Sequence, residues 1–182
     1  PEEGIVDYPA VCTALVRQVE SMGGQVITGA RVDHLYQETQ RWIAVTPVGE
    51  FTSSHLINCA GLQADLVSEL AGEKREIRIV PFRGEFYKLI PQREHLVKNL
   101  IYPVPRQDFP FLGVHCTRLI NGGIEVGPNA VLATAREGYR KSDINLRETL
   151  DALSYPGLWR FMLRYRKLCA FEISLSLSKK RF

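Results

Sequence analysis

The sequence predicts an α+β fold, and three observations support this. Apolar residues between positions 8 and 22 recur at helical spacing. Between residues 77 and 131 the chain is rich in β-branched residues and carries a strong reversal signal, Asn121-Gly122-Gly123. Near the end of the chain, a basic stretch again has helical periodicity.

The composition is that of an ordinary globular protein, with 182 residues, 45% of them hydrophobic and 24% charged. This length supports one good-sized core or two modest ones. A net charge of +3 is too small to indicate a nucleic-acid partner, and no apolar run is long enough to cross a bilayer. Four scattered cysteines without a CxxC pair predict buried, reduced thiols and a cytoplasmic location.

The first part of the chain predicts a helix, a small meander and a turn from a strand into a helix. The helix covers residues 8–22 and ends at Gly23-Gly24. Strands are predicted in "QVIT", "ARVDHLYQ", "WIAVTP" and "EFTSS", followed by a buried strand in "HLINC". That strand runs into Ala60-Gly61 and a helix over residues 62–70. Small residues at such a turn let a ligand approach the backbone, although they fit a plain strand-to-helix turn equally well.

Residues 77–131 predict a mostly antiparallel sheet. "IRIVPFRGEFYKLI" is predicted as one long strand with Arg83, Glu85 and Tyr87 on one face. Residues 113–120 and 124–126 form the predicted hairpin, in which His115 shares a polar face with Thr117. A solvated face and the lining of a pocket both fit this polar face.

The remaining residues predict a short helix over 146–153 and then one basic amphipathic helix, "YPGLWRFMLRYRKLCAF". Its apolar stripe contains Leu158, Phe161, Met162, Tyr165 and Leu168. Two interpretations follow. The stripe packs on the protein's own core, or the helix lies on the inner face of a membrane, attracted by anionic lipid.

Motifs for several other chemistries are missing from the sequence. The four histidines do not have the spacing of a metal site, so no metal is predicted. The sequence contains no GxSxG elbow, no GxGxxG motif and no phosphate-binding GxxxxGK[ST] loop.

Several longer blocks resemble one family of flavoproteins. "IVPFRGEFYKL", "LIYPVPRQDFPFLGVHCTR" and "GGIEVGPNAVLATAREGY" closely resemble the FAD-dependent L-2-hydroxyglutarate oxidases and dehydrogenases. "GIVDYPAVCTAL" and "LINCAGLQAD" fit the same family. These enzymes belong to the wider group typified by D-amino-acid oxidase and glycine oxidase. The resemblance runs in order from Gly4 to beyond Trp159.

The resemblance implies an architecture of α/β and α+β parts. Residues 1–76 would belong to a Rossmann-like FAD-binding domain, residues 77–140 to an antiparallel substrate-binding sheet, and residues 141–182 to a helical segment. Family members begin with a βαβ unit that carries a glycine-rich FAD site, and they end with a further strand and helix. Because the sequence contains neither, we expect it to be the central part of such an enzyme.

The resemblance also implies a reaction, the oxidation of L-2-hydroxyglutarate to 2-oxoglutarate. A hydride leaves C2 for the flavin and a base removes the hydroxyl proton. Oxygen or a quinone would accept the electrons. Two alternatives remain open, namely a related amino-acid or amine oxidase similar to glycine oxidase, and a non-catalytic flavoprotein segment.

Candidate site residues follow from the resemblance. The predicted base is His115, whose alternative role is that of a structural histidine. Arg83 is the predicted carboxylate clamp, with ordering of a loop as its alternative, and Tyr87 and Tyr102 are predicted substrate donors. The predicted FAD-binding residues are Val32, Cys59, Ala60, Gly61, Gly127, Pro128 and Asn129.

Overall fold

The computed structural model describes residues 4–104, 111 and 113–182. The predicted family block at residues 100–118 therefore lies partly outside the described residues. The chain divides into two compact units. One spans Pro9–Val80, and the other contains Pro81–Phe182 and the residues up to Tyr8.

The Pro9–Val80 unit contains a helix, an antiparallel meander and a second helix. Its elements are α1 (Tyr8–Ser21), β1 (His34–Glu38), β2 (Arg41–Thr46), β3 (Gly49–Ser53) and α2 (Ala64–Leu70). The strand order is β1-β2-β3, with Leu35 paired to Ala44 and Ala44 to Phe51. The helix α1 ends as predicted, because Gly23 adopts a φ of 84° and Gly24 N–H donates to the Val19 carbonyl.

Two predicted strands in this unit are wrong. "QVIT" forms no strand, and residues 55–60 belong to no strand, with Ile57 84% exposed. Strand residues need a partner strand for their backbone groups, and within the described residues none pairs with either segment. At residues 58–60 the Asn58 side chain bonds to the backbone in place of a partner strand. It donates to the Ala64 carbonyl at 2.8 Å and accepts from Ala60 N–H at 3.1 Å.

A buried ion pair fixes the segment that follows α2. Arg75 Nη2 lies 2.6 Å from Asp65 Oδ2, and the two side chains are only 11% and 5% exposed. The same carboxylate accepts the Ile79 N–H at 3.1 Å. Asp65 therefore holds residues 75–79 against the start of the helix.

The second unit combines short antiparallel strands with three helices. Its strands are β4 (Phe82–Arg83), β5 (Tyr87–Lys88), β6 (His115–Arg118), β7 (Ile124–Gly127) and β8 (Val131–Leu132). Its helices are α3 (Leu146–Leu153), α4 (Pro156–Arg164) and α5 (Arg166–Leu177). The strands form two sheets, β4-β8 and β5-β7-β6. The most buried apolar residues, Ile124, Leu158 and Leu175, come from β7, α4 and α5.

The hairpin is confirmed, whereas the long strand at residues 77–90 is wrong. In β6 and β7, Cys116 pairs with Val126, and the turn contains Gly122 at φ 87° and Gly123 at φ 96°. The strand instead breaks into β4 and β5 at residues 84–86. It breaks because the Glu85 N–H donates to the Asn129 side chain rather than to a neighbouring strand.

The predicted carboxyl-terminal helix is also two helices, divided at Tyr165. This residue has φ −108° and ψ 27°, outside helical values, and its ring lies 5.0 Å from the Phe161 ring. Helix α5 then continues to Leu177. The predicted stripe faces inward at Leu158, which is 3% exposed.

The composition also led to predictions about the cysteines and about membrane-spanning segments. Cys12 and Cys59 are exposed, so the prediction of buried thiols is wrong for them. Nowhere in residues 4–104, 111 and 113–182 is a helix long and apolar enough to cross a membrane.

We predict that Asp65→Ala lowers the free energy of unfolding of the Pro9–Val80 unit by about 3 kcal/mol, because it leaves the buried Arg75 guanidinium without its carboxylate. The matched control is Asp33→Ala. Its partner Arg31 is 84% exposed, and the expected loss is below about 1 kcal/mol. Urea unfolding of each variant measures the difference, and equal losses would contradict the prediction.

Candidate active site

Two sequence-predicted segments meet at one corner of the second unit. Strand β4 pairs with β8, and strand β5 pairs with β7. The segment that links β4 to β5 therefore passes next to the segment that links β7 to β8. We call residues 83–85 and 127–130 the corner. A Cβ added to Gly84 would lie 2.6 Å from the Pro128 Cβ, and one added to Gly127 would lie 2.7 Å from the Glu85 carbonyl oxygen. Glycine is therefore required on both sides of this approach.

Glu85 and Asn129 join the two segments by reciprocal hydrogen bonds. The Glu85 N–H donates to Asn129 Oδ1 at 2.9 Å, and Asn129 Nδ2 donates to Glu85 Oε2 at 3.0 Å. Asn129 is only 2% exposed. The pair thus fixes the amide orientation of Asn129 as well as its position.

The Arg83 guanidinium is held by the protein itself. Its Nη2 lies 3.2 Å from Glu85 Oε1, and its Nη1 donates to the Arg140 carbonyl at 3.0 Å. The Arg83 side chain is 12% exposed. This arrangement favours the ordering role over the clamp role for Arg83, although the residue is among those that line a cavity.

Glu85 is ionised at neutral pH. Burial of the carboxyl raises its pKa, while hydrogen bonds from Ser176, Asn129 and Arg83 and the charge of Lys141 lower it. The Lys141 Nζ lies 3.5 Å from Glu85 Oε1. The lowering effects outweigh burial, so the pKa of Glu85 lies below its ordinary value of 4.5.

Helix α5 is bonded to the same corner. Glu172 accepts the Ala130 N–H at 2.9 Å through its Oε2, and the Ser176 carbonyl accepts from Lys141 Nζ at 2.6 Å. The corner is therefore attached to helix α5, whose residue Leu175 is buried.

A cavity of about 160 Å³ opens at the corner. It is lined by Phe82, Arg83, Gly84, Phe111, Pro128, Asn129 and Ala130. Two larger cavities, of about 330 and 350 Å³, lie elsewhere in this unit. We assign the site to the smaller cavity because its lining residues include an arginine and an asparagine beside two phenylalanines, which suits a small polar ligand.

His115 lies at the start of β6, opposite Gly127 in the register of β6 and β7. Its Nδ1 lies 3.0 Å from the Gly113 carbonyl oxygen. Because a carbonyl oxygen only accepts, Nδ1 carries the hydrogen in this contact and a neutral ring leaves Nε2 as the basic nitrogen. The bond to Gly113 also fits the structural alternative.

The two predicted tyrosines have different surroundings. Tyr102 is 44% exposed and follows Ile101, which forms a bridge with Cys116 next to His115. The Tyr87 ring packs against Phe182, with ring centroids 4.6 Å apart, and Lys179 Nζ lies 5.5 Å from its centroid. Tyr87 is thus covered by the residues that follow α5.

The other predicted cofactor residues, Val32, Cys59, Ala60 and Gly61, belong to the Pro9–Val80 unit. Gly61 has a φ of 53°, and a Cβ built on it meets no atom within 4 Å. This open space beside the backbone fits the close approach of a ligand such as FAD. Cys59 is exposed and Ala60 is half-buried, while Val32 is half-buried just before β1.

Sequence reasoning missed the residues that connect the corner. Glu85 was predicted only to share a strand face with Arg83 and Tyr87, and Lys141 and Ser176 were not predicted at all. The spacing of Arg83 and Glu85, two apart in an extended segment, is a usable signal for their ion pair. No local signal points to Lys141 or Ser176, because both reach the corner only through the tertiary fold.

Comparison with known proteins gives one consistent result. A family model described as FAD dependent oxidoreductase matches residues 1–166. An L-2-hydroxyglutarate dehydrogenase of Indibacter alkaliphilus is 47% identical over 100% of this chain and 46% of the relative. The enzyme of that name from Escherichia coli K12 is 40% identical over 100% of this chain and 43% of the relative. A mitochondrial one from Bos taurus is 38% identical over 90% of this chain. The chain therefore spans less than half the length of these curated relatives.

The lowered pKa of Glu85 predicts a pH-dependent effect of Glu85→Gln on stability. The ionised carboxyl stabilises the fold above its ordinary pKa of 4.5, and this contribution is lost as the pH falls through the lower folded value. The difference in unfolding free energy between the unsubstituted chain and the variant should thus be larger at pH 7 than at pH 3. Urea unfolding at both pH values measures it.

Glu125→Gln is the control, since Glu125 on β7 faces an exposed Lys88 3.8 Å away. A Glu85→Gln effect that is the same at both pH values would contradict the prediction.

Proposed function

The chain belongs to the FAD-dependent oxidoreductase family, and on this basis we propose that it forms part of an enzyme that oxidises L-2-hydroxyglutarate to 2-oxoglutarate. The observation that carries the proposal is the alignment of the whole chain with L-2-hydroxyglutarate dehydrogenases at 40–47% identity. The corner cavity, whose lining includes Arg83 and Asn129, supports a small carboxylate as the ligand.

We assign FAD binding, substrate binding and structural support to three consecutive segments of the chain. Residues 1–76 contribute to a Rossmann-like FAD-binding domain, supported by the open turn at Gly61. Residues 77–140 supply the substrate-binding sheet, and residues 141–182 supply helices that support it, through the bond from Ala130 N–H to Glu172.

In this proposal the cofactor residues are Val32, Cys59, Ala60 and Gly61, with Gly127, Pro128 and Asn129 at the edge of the substrate site. FAD, when bound, supplies the acceptor for the hydride of the substrate. The chain's own residues bind and orient the substrate and remove its hydroxyl proton.

His115 is the proposed base, acting through Nε2. Its Nδ1 hydrogen is engaged by the Gly113 carbonyl, which orients the ring and directs the basic nitrogen away from that contact. A position on the paired strand β6, opposite Gly127, also holds the imidazole more firmly than a loop would.

Arg83, Tyr87 and Tyr102 are the proposed substrate-binding residues. The Arg83 fork supplies positive charge at the cavity wall, although its pairing with Glu85 supports an ordering role beside the clamp role. Tyr102 lies next to the strand pair that carries His115.

The electron acceptor in this proposal is oxygen or a quinone. A contact with the inner face of a membrane through the basic helices stays a prediction. The burial of Leu158 and the contact of Phe161 with Phe82, 5.8 Å between centroids, support packing of the stripe on the protein itself. Arg160 and Arg164 of α4 are exposed.

We predict that an enzyme containing this chain loses its flavin absorbance when L-2-hydroxyglutarate is added without oxygen. Reduction of the flavin by the bound hydroxyacid removes the oxidised absorption bands, so a spectrophotometer records the result directly. Glycine and other amino acids serve as the comparison substrates. Bleaching by an amino acid alone would favour the amino-acid oxidase alternative, and a colourless protein that takes up no FAD would favour the non-catalytic one.

His115→Ala should lower kcat by roughly 10² to 10⁴, the range usual for the loss of a general base. The matched control is His95→Ala, an exposed histidine of the same unit that lies in a short 3-10 helix, Pro91–Leu96. Steady-state turnover at saturating substrate measures both. Near-normal kcat for His115→Ala would leave His115 with its structural role.

A further inference from the structure

We infer that Glu85 is a positioning residue, whose carboxylate sets the orientation of both Arg83 and Asn129 where they line the corner cavity. The inference deepens the proposed function and rests on it only in taking this cavity as the substrate site. Glu85 itself is not among the residues that line the cavity. It therefore acts through its two neighbours rather than on the substrate.

The two carboxylate oxygens of Glu85 contact different partners. Oε1 faces Arg83 Nη2 at 3.2 Å and Lys141 Nζ at 3.5 Å, while Oε2 accepts from Asn129 Nδ2 at 3.0 Å. All of these partners are donors. Only a group with an acceptor at both positions satisfies them together, and a carboxylate is such a group.

The charges and donors around Glu85 come from several elements. Arg83 extends from β4, Lys141 and Ser176 reach it from the segment before α3 and from α5, and Asn129 comes from the link before β8. These contacts keep the carboxylate ionised and occupied, which makes it a poor proton acceptor. A role as the base is thus inconsistent with its surroundings, whereas a role in orientation uses every contact.

Glu85→Gln tests whether an acceptor is needed at both oxygen positions. The glutamine side chain has one acceptor oxygen and one NH₂ group, so in either orientation the NH₂ group faces a donor, Arg83 or Asn129. One of the two cavity-lining side chains then loses its fixed orientation. The substitution keeps the size of the side chain, so this loss is separated from a loss of packing.

The structure also defines a rescue variant. In Glu85→Gln combined with Asn129→Asp, the glutamine oxygen accepts from Arg83 and its NH₂ group donates to the carboxylate introduced at position 129. That carboxylate can still accept the backbone N–H of residue 85, as Asn129 Oδ1 does at 2.9 Å. The net charge of the corner is unchanged, and every donor again faces an acceptor.

The test measures KM and kcat for L-2-hydroxyglutarate in an active enzyme that contains this chain. Glu85→Gln should raise KM about tenfold, since a hydrogen bond to a charged group contributes on that order to binding. Because the base is elsewhere, kcat should stay within about threefold. The double variant should recover the unfolding free energy at pH 7 that Glu85→Gln loses, and Glu125→Gln, the control on β7 beside the exposed Lys88, should leave both kinetic constants unchanged.

Each outcome decides the inference. A KM for Glu85→Gln equal to that of the unsubstituted enzyme overturns it, and so does a fall in kcat at constant KM or a double variant that recovers no unfolding free energy. If Glu85→Gln does not fold, Glu85→Asp carries the test, because it keeps the charge but shortens the side chain, so KM should rise; an unchanged KM for Glu85→Asp would overturn the inference. Failure of the proposed function looks different, since the unsubstituted enzyme would then not turn over L-2-hydroxyglutarate at all.

Discussion

The pairing of Glu85 with Asn129 is the constraint on which the second unit depends. It joins the link between β4 and β5 to the link between β7 and β8, and so couples two sheets that share no strand. The close passages of Gly84 and Gly127 bring these links within bonding distance. A carboxylate buried at such a crossing is stable only with its donors in place, and for this reason the geometry of Arg83, Asn129 and α5 is set together.

The elements that the sequence predicts correctly are those defined by local chemistry. Helix α1 and the β6–β7 hairpin carry their own stop and turn signals in Gly23-Gly24 and Asn121-Gly122-Gly123. Residues 55–60 and 77–90 have strand composition but no such local determinant. Their conformation depends on whether a partner strand or a side chain takes up their backbone groups, and for Glu85 N–H that group is Asn129, 44 residues away.

The candidate site could likewise be predicted only in part from the sequence. The resemblance to a known family pointed to Arg83 and to Gly127–Asn129, and the fold brings Arg83, Pro128 and Asn129 to one cavity. It pointed to their neighbour Glu85 only as a member of the same strand face. The linking role of Glu85 follows from its contacts with Arg83, two residues away, and with Asn129, Lys141 and Ser176 from distant segments. Sequence spacing does not indicate the three distant contacts, because these form only in the tertiary fold.

The proposed function assigns orientation and proton transfer to different residues. The carboxylate of Glu85 is surrounded by donors that lower its pKa, so it holds neighbours in place and has little affinity for a proton. His115 stands on another strand, where its only described side-chain hydrogen bond, to the Gly113 carbonyl, engages Nδ1 and leaves the second nitrogen for chemistry. A proton acceptor must change its charge during each reaction cycle, whereas a positioning group must keep its charge constant. In the proposed function the two tasks fall on different residues, so the corner keeps its geometry while His115 accepts the proton.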